Sequence, residues 1–222
     1  MVAGAITLAL DAATYEGSVA VIRDGRGLAV RTVAMRGETE ERLMPAVLAA
    51  LAEAGCTIRE VDRVVCGEGP GSFTSLRVAG AIAKGVAFGN AVPLYAVSSL
   101  ALVVAGAPDL APGAYLAVLD AMRGERYVAP YVKAADGTIA VAGPMARVTA
   151  AEAAEVAARS GAVAVGPLEA TACGPHARGV ASLLPAILAT GAVSLDAWEP
   201  AYGRLAEAQV KWEAAHGRPL AG

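Results

Sequence analysis

The sequence predicts an α/β fold of two lobes, and three observations predict it. Of 222 residues, 56% are hydrophobic but only 5% aromatic, so the core is built from Ala, Val, Leu and Ile, which suits stacked helices and sheets better than an aromatic-rich sandwich. Apolar runs of strand length alternate with stretches of helical period. One pattern also recurs: LALDAATYEGSVAVI and LAVLDAMRGERYVAPYV both read as strand, Asp, short turn, strand. A chain of this size is long for one ordinary domain and short for two large ones, so the echo points to two related lobes in one unit.

The elements follow in order. Residues 5–10 (AITLAL), 18–23 (SVAVIR) and 28–33 are short apolar runs separated by turn residues, the spacing of an antiparallel meander. From residue 38 to 54, ETEERLMPAVLAALAEA changes period. Leu43, Val47, Leu51 and Ala54 recur at helical spacing, and Gly55 is a helix stop. Pro45 either kinks this helix or marks its true first turn. VDRVVCG then reads as a buried strand, residues 74–89 as a helix, NAVPLYAV as a strand and residues 98–105 as a short helix. Pro and Gly cluster at 107–113 (APDLAPG), which places the lobe boundary there: an N-terminal lobe at 1–106 and a smaller C-terminal lobe and tail at 107–222. Beyond it come two strands joined at Arg123-Gly124, a helix near 149–159, a strand near 162–166 and a helix near 176–189.

Bulk properties exclude several functions. A formal net charge of -3 gives no basic footprint for a nucleic-acid backbone, so any RNA contact would rest mainly on a partner. Cys56, Cys66 and Cys173 are odd in number and lack CxxC spacing, which argues against a disulfide framework or zinc site and for a reducing compartment. The first residues lack a basic leader, and no apolar run approaches the roughly 20 residues that span a bilayer. The expected location is the cytoplasm. His176 and His216 lie 40 positions apart and read as surface or capping residues, not ligands.

The stretch GEGPGSFTSLR (67–77) invites three chemistries. A P-loop needs Lys and Ser/Thr after its last glycine, whereas Ser72-Phe73 follow Gly71 here and the next lysine is Lys84. A dinucleotide turn needs GxGxxG, whereas Ser72 stands at the third glycine position. A nucleophile elbow needs glycines two residues either side of Ser72, where Pro70 and Thr74 sit. The residues alone read as a tight strand-to-helix corner, with Gly69 and Gly71 permitting unusual backbone angles and Ser72 or Thr74 capping the helix. That helix, SLRVAGAIAKGVAFG, carries only Arg77 and Lys84 as charges. Ala79, Ala83 and Ala87 repeat at i, i+4, i+8 with Gly80 beside them, a row that another backbone can approach, either within the chain or from a partner.

Residues 67–100, GEGPGSFTSLRVAGAIAKGVAFGNAVPLYAVSSL, resemble the most characteristic stretch of the TsaB (YeaZ) family, and LALDAATYEGSVAVI, ERLMPAVLAAL, AVLDAMRGERYVAPYV and EPAYGRLAEAQVKWE agree in order. The resemblance implies an actin-like, heat-shock-ATPase-like (ribonuclease H-like) fold and a non-catalytic subunit needed to place threonylcarbamoyl on the adenosine beside the tRNA anticodon. It implies pairing with the catalytic subunit TsaD, work with the ATPase TsaE, and ATP and metal at those partners, with no cofactor of the chain's own. Carried onto this sequence, the partner contact comprises Leu43, Met44, Val47, Leu48, Leu76, Arg77, Ala79, Gly80, Ala83, Lys84 and Ala87, and a homodimer through the same helices is open to the free chain. Ser99 and Val103 stand where TsaD-like subunits carry a metal-binding HxxxH. Asp11 and Thr14 match the superfamily's metal and phosphate hairpin, a vestigial site here because Ala12 and Ala13 depart from its pattern. Thr39 replaces a histidine often found there. The competing readings are a residual nucleotide-dependent enzyme at Asp11 and Thr14, and a protease, which the missing HxxxH and the absence of a nucleophile with its base disfavour.

Overall fold

The structure, a computed structural model, describes residues 4–37, 40–203 and 216. The meander is there: β1 (Ile6–Asp11), β2 (Glu16–Arg23) and β3 (Arg26–Ala34) pair antiparallel, and β4 (Arg63–Gly67) and β5 (Leu94–Val97) extend the sheet in parallel on the other side of β1. The strand order is β3-β2-β1-β4-β5. Between β3 and β4 runs α1 (Leu43–Glu53), and between β4 and β5 runs α2 (Phe73–Asn90). Helix α1 starts five residues later than its periodicity suggests. Pro45 lies in the first turn, where its missing N–H removes no internal bond, and the Glu41 carboxylate accepts from the N–H groups of Leu43 and Met44.

After α3 (Ser99–Ala105), a second sheet repeats the first hairpin's logic. Strands β6 (Gly113–Met122) and β7 (Glu125–Lys133) pair antiparallel, and β10 (Val163–Gly166) runs parallel to β6, as β4 does to β1. Strands β8 (Ile139–Val141) and β9 (Ala146–Thr149) pair with β7, and β11 (Thr171–Ala172) with β10. Helix α4 (Ala150–Ser160) opens on a capping box: the Thr149 hydroxyl accepts from the Glu152 N–H at 3.2 Å, and Glu152 Oε2 accepts from the Thr149 N–H at 2.7 Å. The last helix is shorter than its pattern, a 3-10 turn at Ala177–Gly179 leading into α5 (Val180–Ala189).

Alternation along β1 sets the layers. Leu8 and Leu10 pack with α1 and α2 through Leu43, Val47, Ala79 and Ala83, while Ala9 on the opposite face joins Leu100 and Leu102 of α3 and Leu183 and Ile187 of α5. That second cluster continues into Leu119 and Tyr127 of the other sheet, whose far face packs on α4. The result is helix, sheet, helix, sheet, helix, with two hairpin-led sheets sharing the middle helical layer: the actin-like arrangement. Strands β1–β5 precede residue 107 and β6–β11 follow it, but α5 and the segment after it return to the first sheet: the Val193 N–H donates to the Leu94 carbonyl and Trp198 joins the α1–α2 core. Among the described residues, no helix is long and apolar enough to cross a membrane.

Candidate functional site

The corner at 67–73 is built around Asp11. This carboxylate ends β1 fully buried; it accepts from the Ala13 N–H at 3.0 Å and from the Ser99 hydroxyl at 2.5 Å. Ser99 also accepts from the Gly69 N–H at 3.1 Å, so one serine ties the first hairpin, the corner and the start of α3 together. Gly67 is required here, since a Cβ would overlap the Asp11 carboxylate. Burial raises the Asp11 pKa to about 6, against the opposing pull of the hydrogen bonds from Ser99 and Ala13.

The first hairpin and the corner are joined directly through their backbones. The Ala13 carbonyl accepts from the Ser72 N–H at 2.7 Å, and it occupies the place a side chain at Gly71 would take. Thr14 lines the cleft between the lobes, and its hydroxyl donates to the Glu16 carbonyl at 3.0 Å and accepts from the Glu16 N–H at 3.3 Å. Asp11 and Thr14, paired in the sequence reading as a vestigial site, have different surroundings: Asp11 is sealed in the core, whereas Thr14 borders the cleft. Ser99 and Val103 are fully buried, and among the described residues no group of three or more His, Cys, Asp or Glu is arranged to hold a metal. His176 is buried, with Nδ1 accepting from the Arg178 N–H, and burial and Arg178 lower its pKa to about 4. Thr39 lies outside the described residues.

The corner's residues divide differently from expectation. Gly69 has φ +96, the angle that needs glycine, and Gly71 serves close approach instead. Neither hydroxyl caps α2: Ser72 sits at the N-cap position, but its hydroxyl bonds that of Ser75 at 3.0 Å, and Thr74 is exposed in the first turn.

Between the lobes lies a cleft of about 610 Å³, floored by Ala13, Gly71 and Ala121 and walled by Tyr15, Arg36 and Phe73 on one side and Asp120, Met122, Tyr127 and Leu168 on the other. Segment 198–203 reaches its edge. The Ala201 N–H donates to the Glu68 carbonyl at 2.7 Å, Tyr202 packs on Phe73 with ring centroids 4.4 Å apart, and Gly203 lies against Tyr127. The turn opposite has three successive positive φ values, Met122 at 65, Arg123 at 54 and Gly124 at 82. Asp120 holds it, its Oδ1 accepting from the Met122 N–H and from Arg126.

The helix surface corrects the expected interface. Leu43, Val47, Leu76, Ala79, Ala83 and Ala87 are sealed inside the chain, and Gly80 is covered by Trp198 and Pro200. The small-residue row lets α2 lie close to its own sheet and strap, which cover it within the chain. Lys84 stands over the Trp198 ring at 5.9 Å and Arg77 over Phe73 at 5.3 Å. What the two helices leave outside is Leu48 (50% exposed) with half-buried Met44 on α1, and Ala81, Gly85 and Phe88 (80% exposed) at i, i+4, i+7 on α2. Ala81, Gly85 and Phe88 are missed by the sequence reading, though the signal was present: a bulky Phe just outside an alanine row belongs to the opposite face.

Comparisons with known proteins agree with this architecture. Residues 33–168 match the family profile described as TsaD: tRNA N6-adenosine threonylcarbamoyltransferase. The tRNA threonylcarbamoyladenosine biosynthesis protein TsaB of Haemophilus influenzae is 35% identical over 127 residues, covering 57% of this chain and 53% of that protein. The TsaB of Escherichia coli is 36% identical over 131 residues, 59% of this chain and 56% of that one. The chain thus spans about half the length of the curated relatives it matches. Among solved structures, YeaZ from Pseudomonas aeruginosa superposes with a TM-score of 0.72 at 30% identity, over 89% of this chain and 99% of that one. A Pseudomonas aeruginosa protein described by its similarity to peptidase YeaZ gives a TM-score of 0.74 at 29% identity, over 90% and 100% of the two chains.

Proposed function

The chain belongs to the TsaD family, tRNA N6-adenosine threonylcarbamoyltransferase, and within it to the TsaB (YeaZ) group; from that premise we propose that it serves threonylcarbamoyladenosine formation on tRNA as a non-catalytic subunit that docks on and activates a TsaD subunit in the cytoplasm. The observation that carries the proposal is the exposed apolar face of Leu48, Ala81, Gly85 and Phe88 on two adjacent helices. Exposing four-fifths of a phenylalanine on α2 and half of a leucine on α1 favours burial against a partner. A second copy of the chain competes for the same face when TsaD is absent. ATP and metal belong, in this reading, to TsaD and TsaE. A nucleotide chemistry of the chain's own is disfavoured because the Ser72 N–H, at the start of α2, is already committed to the Ala13 carbonyl and is not free to donate to phosphate.

The test is Phe88→Asp, which alters no buried contact. Mixed with TsaD and followed by light scattering, the variant should lose the heterodimer mass while its circular dichroism and Tm stay those of the parent. A heterodimer of unchanged affinity would remove the face from the proposal.

A further inference from the structure

The inter-lobe cleft is not used by the helix-face contact, and its chemistry is specific. Its walls are aromatic and partly unsatisfied. Tyr15 (48% exposed), Met122 (41%) and Leu168 (64%) border one cavity, with the Phe73–Tyr202 ring pair at its side. Such a cavity takes a flat ring well, because stacking uses the faces of Tyr and Phe side chains and needs no exact hydrogen-bond register. The Arg36 guanidinium lies 4.7 Å from the Tyr15 ring centroid, and among the described residues no carboxylate is paired with it. Asp120 spends Oδ1 on Arg126 and the Met122 N–H and leaves Oδ2 without a hydrogen bond among the described residues, an acceptor at the cleft wall. The floor offers little to a phosphate chain, since the Ser72 N–H is already committed to the Ala13 carbonyl.

We propose that this cleft binds a planar nucleobase that carries one carboxylate and an exocyclic N–H, and no polyphosphate. Resting on the function proposed above, the group of that description is the threonylcarbamoyl-modified adenine: a purine to stack at Tyr15, its N6–H, which adenosine shares, for Asp120 and a threonine carboxylate for Arg36. The cleft then reads the product of the modification.

Calorimetric titration of the full chain with N6-threonylcarbamoyladenosine, with adenosine and with ATP plus Mg²⁺ tests this. The modified nucleoside should bind about tenfold more tightly than adenosine, as expected for one added charge-assisted contact, and ATP no more tightly than adenosine. Arg36→Gln should abolish the tenfold preference and leave adenosine binding unchanged; Tyr15→Ser should weaken both nucleosides. Both side chains are exposed, so both variants should keep the parental Tm. Equal affinity for the two nucleosides, tightest binding by ATP, or a preference that survives Arg36→Gln would each overturn the proposal. An anticodon stem-loop RNA bearing the modified base separates the two sources: if the free nucleoside competes with it, the ring is taken from RNA, and if only the free nucleoside binds, the site serves a released product. TsaD binding is measured separately through Phe88, so a chain that forms the heterodimer but ignores the modified nucleoside sinks the cleft assignment alone.

Discussion

Asp11 shows how a carboxylate at a strand end behaves once the chain seals it in the core. It is fully buried with a pKa raised from 3.8 to about 6, so the folded state prefers the protonated form. The sign follows: Asp11 favours folding most below its unfolded pKa, and this is lost as pH rises from about 4 through 6. The loss between pH 4 and 7.5 is about 2 kcal/mol, from roughly 1.4 kcal/mol per pKa unit. Asp11→Asn should flatten that slope, with denaturant midpoints of variant and parent drawing together at pH 7.5 and diverging in the parent's favour at pH 4. Parallel pH curves would show that Asp11 does not titrate in this range. His176 runs oppositely. With a pKa lowered to about 4, it favours folding above pH 6.5 and loses that contribution as pH falls toward 4. His176→Asn, which keeps an acceptor for the Arg178 N–H, should retain more stability than the parent at pH 4.5 in the same denaturant titration. Each effect is visible only against its own variant, since the two overlap in the parent. Neither was legible in the sequence, because an Asp after a strand and a His after a proline carry no mark of their burial.

At the scale of elements, the helices were legible and their faces were not. An α2 with two charges in eighteen residues reads as buried on more than one face, and from spacing alone the alanine row suits a foreign backbone as well as its own. The structure decides between them through residues far along the chain: Trp198 and Pro200 lie over Gly80, and Lys84 caps the Trp198 ring. Two substitutions separate the faces. Ala83→Glu buries a carboxylate with no partner in the α1–α2 core and should leave the chain largely unfolded by circular dichroism, whereas the exposed Phe88 tolerates a charge. Trp198→Ala removes the strap's anchor and should cost about 3 kcal/mol, the lower end for a buried large aromatic, read as a shift of urea midpoint at unchanged m-value. A cost near zero would mean that the strap rests on α2 without holding it. The short strands β8, β9 and β11 escaped the sequence for a simpler reason. They are two to four residues long and largely exposed, so neither length nor alternation distinguishes them from turns.

The repeated hairpin was the part of the whole molecule that sequence could show, since strand, Asp, turn and strand recur within two continuous stretches. What it could not show is that the lobes share their interior. One cluster contains Ala9 and Val65 of the first sheet, Leu100 and Leu102 of α3, Leu183 and Ile187 of α5, and Leu119 and Tyr127 of the second sheet. Segment 198–203 adds a second tie, with Tyr202 on Phe73 and Gly203 on Tyr127. Neither sheet therefore has a complete core when the middle helical layer is removed, and the boundary near 107–113 divides strands without dividing stability. The chain should unfold in a single calorimetric transition. Leu119→Ala, a truncation in the second sheet, should destabilise by about 3 kcal/mol and lower that one Tm by roughly 6 to 12 °C, with amide protons of β1 and β4 losing protection together with those of β6. Two resolved transitions, or loss of protection confined to the second sheet, would show independent lobes.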